Sequence, residues 1–289
     1  MVIGQSCFTY ARVSRDIDAI SGDSYARVTI HEIIVKISAT IITFNEAEKI
    51  RAACESAAWA DEIVVVDSES TDSTREIAAA CGARVIIHPW PGFAEQKQFA
   101  AEAATHDWIF SLDADERLSN ELSNSIDRLR AADESSLADG YSIARCAFYM
   151  GRWIRGGGWY PDRQLRLYRK SRGRWQGPHI HESVKMDEAA RVEILAGDLL
   201  HYTTDNPDEH RQMIEERYAP LGARKMFEQG RRASSWQVAT IGPATFVRSY
   251  VLKGGFRDGR AGWTIARMAA YHARRKYELL RDMQHSDNS

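Results

Sequence analysis

The sequence predicts an α/β fold, in which a mostly parallel sheet is flanked by helices and followed by a helical C-terminal appendage. Three observations lead to this prediction. Short β-branched runs alternate with helix-type patterns four times between residues 37 and 118. Longer strand-like segments follow, and residues 207–283 then have the pattern of helices. We therefore expect an N-terminal extension of unknown role, a main domain in two halves and a helical tail: residues 1–36, 37–118, 119–205 and 206–289.

The first two strand and helix units each end a β-branched run on polar residues. ISATIIT at residues 37–43 predicts a buried strand, and Asn45 is expected to cap the helix that follows. EIVVV at residues 62–66 predicts a second strand that ends on Asp67. Ser70 or Thr71 is expected to start the next helix. Successive units of this kind predict parallel strands with right-handed crossovers.

The later segments complete the predicted order. Residues 84–88 and 108–112 predict strands three and four, with a helix between them, and a helix is expected after Ser119. Residues 141–149, 164–169 and 191–202 predict three further strands. The helices of the tail are expected to be broken at three places: near Gly230, near Pro243 and at residues 254–262.

Composition excludes several classes of protein. The 289 residues carry 38 Lys and Arg against 40 Asp and Glu, which excludes a basic nucleic-acid coat or an acidic tail protein. Four cysteines without a C-x-x-C pair indicate a reducing compartment. We find no signal-peptide core and no apolar run of about 18 residues. A cytoplasmic protein is expected.

The tail differs in charge from the rest of the chain. Residues 211–289 contain 15 Lys or Arg but seven Asp or Glu. Aromatic residues such as Trp236, Tyr250 and Trp263 lie among these basic residues. Basic helices with one aromatic side are typical of interfacial helices, so we expect peripheral attachment to the inner membrane surface. Packing of the tail against the main domain is the alternative, and both can hold.

Acidic residues follow the predicted strands. Glu46 follows the first strand, Asp67 ends the second, and Asp113 and Asp115 follow the fourth. Ligands of open parallel sheets bind outside the carboxyl ends of the strands. Carboxylates gathered there repel one another unless a cation or sugar hydroxyls lie between them. Because alternate residues of an extended stretch point the same way, the Asp-x-Asp pair favours Mg²⁺ or Mn²⁺ bound with a diphosphate. Asp72 is expected only to form a turn.

Three motifs contain these residues: TFNE at residues 43–46, VVVDSESTDST at 64–74 and WIFSLDADE at 108–116. Together they resemble glycosyltransferase family 2, which has the GT-A fold. The later runs GGGWYPDRQLRLYRK and GPHIHESV are similar to the bacterial lipopolysaccharide core β-1,4-glucosyltransferase branch. The resemblance covers about residues 36–280. It implies that residues 37–118 form the nucleotide-sugar half and residues 119–205 the acceptor half.

The resemblance also implies which residues meet the donor. The first-strand motif would line the nucleotide pocket, Asp67 would contact the uracil or ribose, and Asp113 would hold the ribose. Asp115 would bind the divalent cation, which His201 would help to complete, although a buried hydrogen-bonded histidine is an equal alternative. The pocket residues implied by the motif are Thr43, Asn45 and Glu46.

Two further donor contacts are expected from positions that depart from the family or lie in its loops. The usual Ala-Arg-Asn is replaced by Gln96-Lys97-Gln98, so Lys97 is a candidate donor contact. Gly157, in the Gly156-Gly157-Gly158 loop, matches the place where backbone approaches the donor sugar. A simple flexible turn is the alternative for this loop.

Sugar transfer also needs a base for the acceptor hydroxyl and contacts for the acceptor. Glu182 matches the family's catalytic acid, although this chain has His-Glu where many members have Glu-Asp, and Asp162 is the alternative base. His179 and His181 alternate but lack the partners of a zinc site. Between residues 152 and 174, eight Lys or Arg and several aromatics accompany one acid. This suits a phosphorylated sugar better than nucleic acid, and the expected contacts are Trp159, Arg163 and Arg166.

The leading hypothesis is an inverting, metal-dependent glycosyltransferase. It would move a hexose, expected to be glucose, from a UDP-linked donor to a lipid-linked saccharide such as lipopolysaccharide inner core. A haloacid-dehalogenase-type phosphatase is the alternative enzyme, because an Asp-x-Asp pair after a strand is its nucleophile motif. That fold places the pair on the first strand, with Thr or Val where this chain has Arg117. A non-catalytic, membrane-associated saccharide-binding protein is the third possibility.

Overall fold

A computed structural model describes residues 34–177, 182–203 and 206–287. Within these residues lie eleven strands: β1 (Ile37–Thr43), β2 (Glu62–Asp67), β3 (Arg84–Ile87), β4 (Trp108–Asp113), β5 (Glu116–Leu118), β6 (Gly140–Tyr149), β7 (Arg152–Trp153), β8 (Asp162–Arg169), β9 (Gly173–Gln176), β10 (Ser183–Met186) and β11 (Val192–Tyr202). The α-helices of the same residues are α1 (Ile50–Ser56), α2 (Thr74–Ala80), α3 (Phe93–Ala103), α4 (Asn120–Arg130), α5 (Pro207–Met213), α6 (Ala219–Glu228), α7 (Ser235–Val247) and α8 (Gly259–Asp287).

The main sheet has the strand order β3-β2-β1-β4-β8-β6-β11-β5, with β7 paired to β6. The first four strands along the chain are all parallel to one another. β8 is antiparallel to both β4 and β6, and β11 is parallel to β6. The carboxyl ends of β1, β2, β4, β6 and β11 therefore meet the start of β8 at one edge, which we call the C-terminal rim. The predicted α/β class is confirmed.

Two apolar layers cover the two faces of the sheet. β1 is buried along its whole length because both of its faces are covered. Ile37 and Ile41 belong to the cluster that includes residues of α1 and α4. Ile42 lies in the opposite cluster, with residues of α3 and the β9–β10 hairpin. The continuous β-branched pattern of this strand is what allows both layers to form.

Three predictions about where helices begin or break are wrong. Asn45 does not cap α1: its backbone is left-handed (φ 52°) and its Oδ1 accepts a hydrogen bond from the Thr71 amide at 2.8 Å. Neither Ser70 nor Thr71 starts α2, which begins at Thr74 after Ser73, and the Ser70 hydroxyl instead donates to Asp67. Pro243 lies inside α7 rather than at a break. Asp72 does form a turn, since its Oδ1 accepts from the Thr74 amide at 3.0 Å.

The helical tail packs through α8, which is 29 residues long. Its buried Leu280 joins Ala223 and Met226 of α6 in one apolar cluster. Closer to its start, Ala261 and Ile265 pack with Tyr149 and Ile154 of the main sheet region. The break expected near Gly230 is present. The break expected at residues 254–262 is shorter than predicted: it is a 3-10 turn at Gly255–Asp258, and α8 already begins at Gly259. Contact between the tail and the sheet region is therefore established.

Candidate active site

A cavity of about 620 Å³ opens at the C-terminal rim. Its walls come from the ends of β1, β2 and β4, from the segment that leads into α3, and from β11. The lining residues are Ile42, Thr43, Phe44, Glu46, Ser68, Trp90, Phe93, Asp113, Ala114, Asp115 and His201. The cavity thus has an apolar and aromatic side next to an acidic side. Such a combination suits a ligand with one planar, weakly polar part and one part that binds through charge.

The acidic side of this cavity begins at Asp113. Its Oδ1 lies 2.9 Å from the Lys97 ammonium, and its Oδ2 lies 2.8 Å from the Arg166 guanidinium. Burial alone would raise the pKa of Asp113, but the charges of Arg166 and Lys97 outweigh burial and hold that pKa well below its usual range. Asp113 is therefore ionised at neutral pH. The positive charges that balance it come from two basic residues of the chain, Lys97 and Arg166.

Lys97 connects Asp113 to the predicted base. Its ammonium also lies 3.2 Å from Oε1 of Glu182, and only 4% of the Lys97 side chain is exposed. The same ammonium lies 4.8 Å from the centre of the Trp175 ring. Lys97 therefore contacts two carboxylates and one aromatic ring. The structure brings Lys97, Asp113 and Glu182 together, whereas His179 and His181 lie outside the described residues.

Arg166 lies beneath the rim rather than on the surface. Its side chain is 3% exposed, and its Nη2 lies 2.8 Å from both Asp113 and Glu116. Glu116 is fully buried and also accepts the Asp113 amide hydrogen at 3.0 Å. Its other neighbour is Arg145, whose Nη1 lies 3.6 Å away. The sequence reasoning missed Glu116, although its place directly after the Asp-x-Asp pair was a signal for it.

Asp115 points to a different partner from Asp113. Its Oδ2 lies 3.2 Å from Nε2 of His201, and its backbone carbonyl accepts the Tyr202 amide hydrogen. The reason is that β4 ends at Asp113 and a turn at residues 114–115 follows, so the extended alternation assumed for the pair does not continue. Both carboxylates still line the cavity, as does His201 of β11.

The first two loops of the rim hold each other in place. Asp67 is fully buried and accepts hydrogen bonds from the Ser70 amide and hydroxyl, at 2.8 and 2.5 Å. The Ser70 oxygen in turn accepts from the Asn45 amide at 2.8 Å. Glu46 lines the cavity, as does Thr43, whose hydroxyl is buried without a protein partner. Asn45 and Asp67 thus shape the loops from behind, while Thr43 and Glu46 face the cavity.

A second cavity of about 340 Å³ shares His201 with the first. It is lined by Arg145, Ala147, Gly158, Trp159, Pro161, Asp162, His201 and Thr203. Asp162 lies in this wall and is held by the Arg145 guanidinium at 2.6 Å. Trp159 and Asp162 therefore lie together, whereas Arg163 is exposed on β8. Gly157 lines neither cavity, since its amide donates to Lys253 and its carbonyl accepts from the Ser249 hydroxyl.

The described residues contain no group of three or more His, Cys, Asp or Glu side chains arranged to hold a metal ion. Asp115 and His201 are the adjacent pair of possible ligands in the cavity wall. Mg²⁺ commonly binds through one or two protein groups together with substrate phosphates and water. The residues present therefore fit a cation that arrives with a diphosphate.

Comparison with known proteins agrees with this architecture. Residues 38–196 match the model of glycosyl transferase family 2. The lipopolysaccharide core biosynthesis glycosyltransferase LpsC of Rhizobium meliloti is 33% identical over 82% of this chain and 88% of its own length. An uncharacterized glycosyltransferase of Rickettsia prowazekii is 30% identical over 86% of this chain and 87% of its own length.

One solved structure is similar over part of its length. Glucosyl-3-phosphoglycerate synthase from Mycobacterium tuberculosis, in complex with Mg²⁺ and uridine diphosphate, is 25% identical over 40% of this chain and 44% of its own, with a TM-score of 0.32. The match to the family model and the two relatives that align over most of this chain show the family. The phosphatase alternative is therefore excluded. The chain belongs to glycosyltransferase family 2.

Proposed function

We propose that the protein is an inverting, metal-dependent hexosyltransferase. It moves glucose from a UDP-linked donor to a lipid-linked saccharide such as lipopolysaccharide inner core. Family membership supports transfer from a nucleotide sugar. The LpsC relative, named for lipopolysaccharide core biosynthesis, supports the class of acceptor. A non-catalytic saccharide-binding protein is disfavoured by the intact rim of Asp113, Asp115 and Glu182.

The observation that carries the proposal is the pair of cavities that share His201. Transfer of a sugar requires two substrates whose reacting atoms meet at one point. The 620 Å³ cavity has the aromatic and acidic walls that suit the nucleotide and its diphosphate. The 340 Å³ cavity has Trp159, on whose face a sugar can stack, and the carboxylate of Asp162. We place the sugar that is transferred at the shared wall.

We assign the donor contacts to the residues that face or support the larger cavity. Thr43, whose hydroxyl is buried, lines the nucleotide side of the cavity, and Glu46 and Asp113 accept hydrogen bonds from ribose hydroxyls. Asn45 and Asp67 hold the first two loops in shape. Lys97 holds Asp113 and Glu182 at a fixed distance from each other.

Asp115 and His201 would hold the divalent cation, Mg²⁺ or Mn²⁺. When bound, the cation would stabilise the negative charge that develops on the departing diphosphate. Asp113 does not need to share it, because Lys97 and Arg166 already neutralise that carboxylate. Arg166 is a poor acceptor contact, since its side chain is 3% exposed, and we assign it instead to positioning Asp113 and Glu116.

In the reaction, an acceptor hydroxyl attacks the anomeric carbon as the bond from that carbon to the diphosphate oxygen breaks. A single displacement of this kind inverts the configuration. The hydroxyl proton passes to a carboxylate. Glu182, which lines neither cavity but shares Lys97 with Asp113, is our first choice, and Asp162, in the wall of the smaller cavity, is our second. Both carboxylates have a basic partner, Lys97 at 3.2 Å and Arg145 at 2.6 Å. Trp159 and the exposed Arg163 would orient the acceptor, with Arg163 facing its phosphate groups.

Calorimetric titration of the purified protein with UDP-glucose, UDP-galactose, UDP-N-acetylglucosamine and UDP tests the donor site. We expect micromolar binding with Mn²⁺. The affinity should fall at least tenfold both with EDTA and in Asp115→Ala, because no cation then neutralises the diphosphate charge. Glu228→Gln, an exposed change on α6, serves as the control and should bind normally. If no UDP compound binds the wild type, or if binding ignores both metal and Asp115, the proposed donor site is wrong.

We also propose that the protein works at the cytoplasmic face of the inner membrane. Within the described residues, no helix has the length and apolarity to cross a bilayer. The tail instead exposes large apolar residues beside basic ones such as Arg248 and Lys253: Trp236 is 74% exposed, Leu252 77% and Phe256 52%. Apolar residues can enter the headgroup region while Arg and Lys meet anionic lipid.

Vesicle flotation tests the membrane proposal. We expect the wild type to float with vesicles that contain phosphatidylglycerol and to remain in the dense fraction with pure phosphatidylcholine. A Trp236→Glu and Leu252→Glu double variant should lose most of this binding, since two charges would have to enter the interface. If the wild type does not float with anionic vesicles, attachment through the tail is refuted.

A further inference from the structure

The glycine loop at residues 156–158 is held by the tail. The Gly156 amide donates to Oδ2 of Asp258 at 2.7 Å, and the Arg155 amide lies 3.2 Å from the same oxygen. The next amide, of Gly157, donates to the Lys253 carbonyl at 3.0 Å. Three successive amides of the loop are thus bonded to a segment about 100 residues later in the chain.

Asp258 is an unusual partner, because its side chain is a carboxylate with 2% exposure. A buried carboxylate is costly unless hydrogen bonds compensate for the loss of water. Its compensation comes from the two loop amides and from Arg152, whose Nη2 is 3.9 Å away. Charge-assisted bonds of this kind are about twice as strong as neutral ones. Asp258 therefore fixes the loop more firmly than a neutral turn would.

The glycines allow the two segments to approach closely. A Cβ atom on Gly156 would lie 2.5 Å from the Gly254 carbonyl oxygen, so the two backbones can approach this closely only at a glycine. Gly157 also has a left-handed backbone, with φ of 67°. The loop is therefore not the simple flexible turn that was its alternative reading. Its glycines serve contact with the tail, which accounts for Gly157 facing neither cavity.

The loop continues directly into the wall of the 340 Å³ cavity. Gly158, Trp159 and Asp162 all line that cavity, and the Trp159 amide donates to the Gly156 carbonyl at 3.1 Å. None of Ser249, Lys253 and Asp258 lines the 620 Å³ cavity. A change at Asp258 should therefore reach the acceptor side and leave the donor side intact.

We propose that Asp258 is a positioning residue for the acceptor subsite. It acts through the Arg155 and Gly156 amides and sets where Trp159 and Asp162 lie relative to His201. The tail is then a working part of the acceptor site as well as a packed appendage. The inference rests on the proposed function, because it assumes that the smaller cavity receives the acceptor.

Asp258→Asn tests this inference in the full-length protein. The amide side chain keeps the shape but lacks the charge, so the loop amides lose their strong acceptor. With UDP-glucose, Mn²⁺ and lipopolysaccharide truncated to its inner core, we expect acceptor kcat/KM to fall 10- to 100-fold while the Kd of UDP-glucose stays within twofold. Amide hydrogen exchange of residues 155–158 should quicken at least tenfold. Glu228→Gln should change none of these values.

The outcomes separate the inference from the proposed function. A wild type that does not bind UDP-glucose refutes the donor proposal, and the exchange measurement alone then decides whether Asp258 fixes the loop. If the wild type is active and Asp258→Asn keeps full acceptor turnover, or loses donor and acceptor affinity equally, the positioning role is wrong. Should that variant not fold, Ser249→Ala replaces it, since it removes one bond to the Gly157 carbonyl. A two- to fivefold rise in acceptor KM would support the inference, and an unchanged KM would overturn it.

Discussion

Replacing Glu182 by Gln is expected to lower kcat about 1,000-fold, in line with the usual contribution of a general base. Gln has the same shape but cannot take up the acceptor proton. The Kd of UDP-glucose should change less than threefold, because Glu182 is not among the lining residues of the 620 Å³ cavity. Single-turnover transfer in a rapid-quench experiment, with saturating donor, measures the chemical step directly.

Asp162→Asn is the matched variant for this prediction. Asp162 is bonded to Arg145 at 2.6 Å, much as Glu182 is bonded to Lys97, so both substitutions remove one charge from an ion pair. We expect Asp162→Asn to cost less than tenfold in kcat. The reverse order would make Asp162 the base, and equal small losses in both variants would mean that neither carboxylate takes the proton.

The second large effect is expected from Arg166→Met, and it concerns stability first. Arg166 lies between Asp113 and the fully buried Glu116, with 2.8 Å to each. Removing one partner of a buried ion pair typically costs about 3–5 kcal/mol, since the remaining charge is left without compensation. We expect the free energy of unfolding in urea to fall by about that amount. The exposed Arg163→Met should cost less than about 0.5 kcal/mol.

Arg166→Met should also change how donor binding depends on pH. Arg166 and Lys97 hold the pKa of Asp113 well below its usual range against the effect of burial, so the carboxylate is ionised across the whole working range. Without Arg166 that pKa rises, and Asp113 becomes protonated as the pH falls. UDP-glucose affinity in the variant should therefore weaken toward pH 5, while the wild type holds its affinity. A double variant with Arg166→Met and Glu116→Gln should recover part of the lost stability. If neither the loss of stability nor the change in pH dependence is observed, Arg166 does not hold Asp113 and Glu116.

The sequence was sufficient for the strands that position the donor site. β1, β2 and β4 are β-branched or aromatic runs buried in the sheet, and burial of this kind leaves a local pattern. Because parallel strands end at a common edge, the closeness of Asp67, Asp113 and Glu46 followed from the order of the strands. The geometry of this edge therefore needed no knowledge of distant contacts.

The errors occurred where a side chain is bonded to a distant part of the chain. Asn45 has the composition of a helix cap, but its amide and side chain are bonded to Ser70 and Thr71, about 25 residues away. Arg166 looked like a surface residue of a basic stretch, yet β8 lies between β4 and β6 and buries it. Asp258 carried no local signal at all, because its partners are more than 100 residues earlier in the sequence. Local patterns do not record such pairings.

The direction of the strands also has a practical consequence for labelling the enzyme. Because the cavities lie at the C-terminal rim, the opposite edge of the sheet is free of the proposed chemistry. That edge is closed by structural bonds, such as those from the Thr105 amide to Glu62 and from the Ser171 amide to Asp107. Between them lies His106, which is half-buried. A fluorophore, an affinity tag or a surface tether attached near His106 should therefore leave catalysis unaffected and hold the enzyme with both cavities directed away from the support.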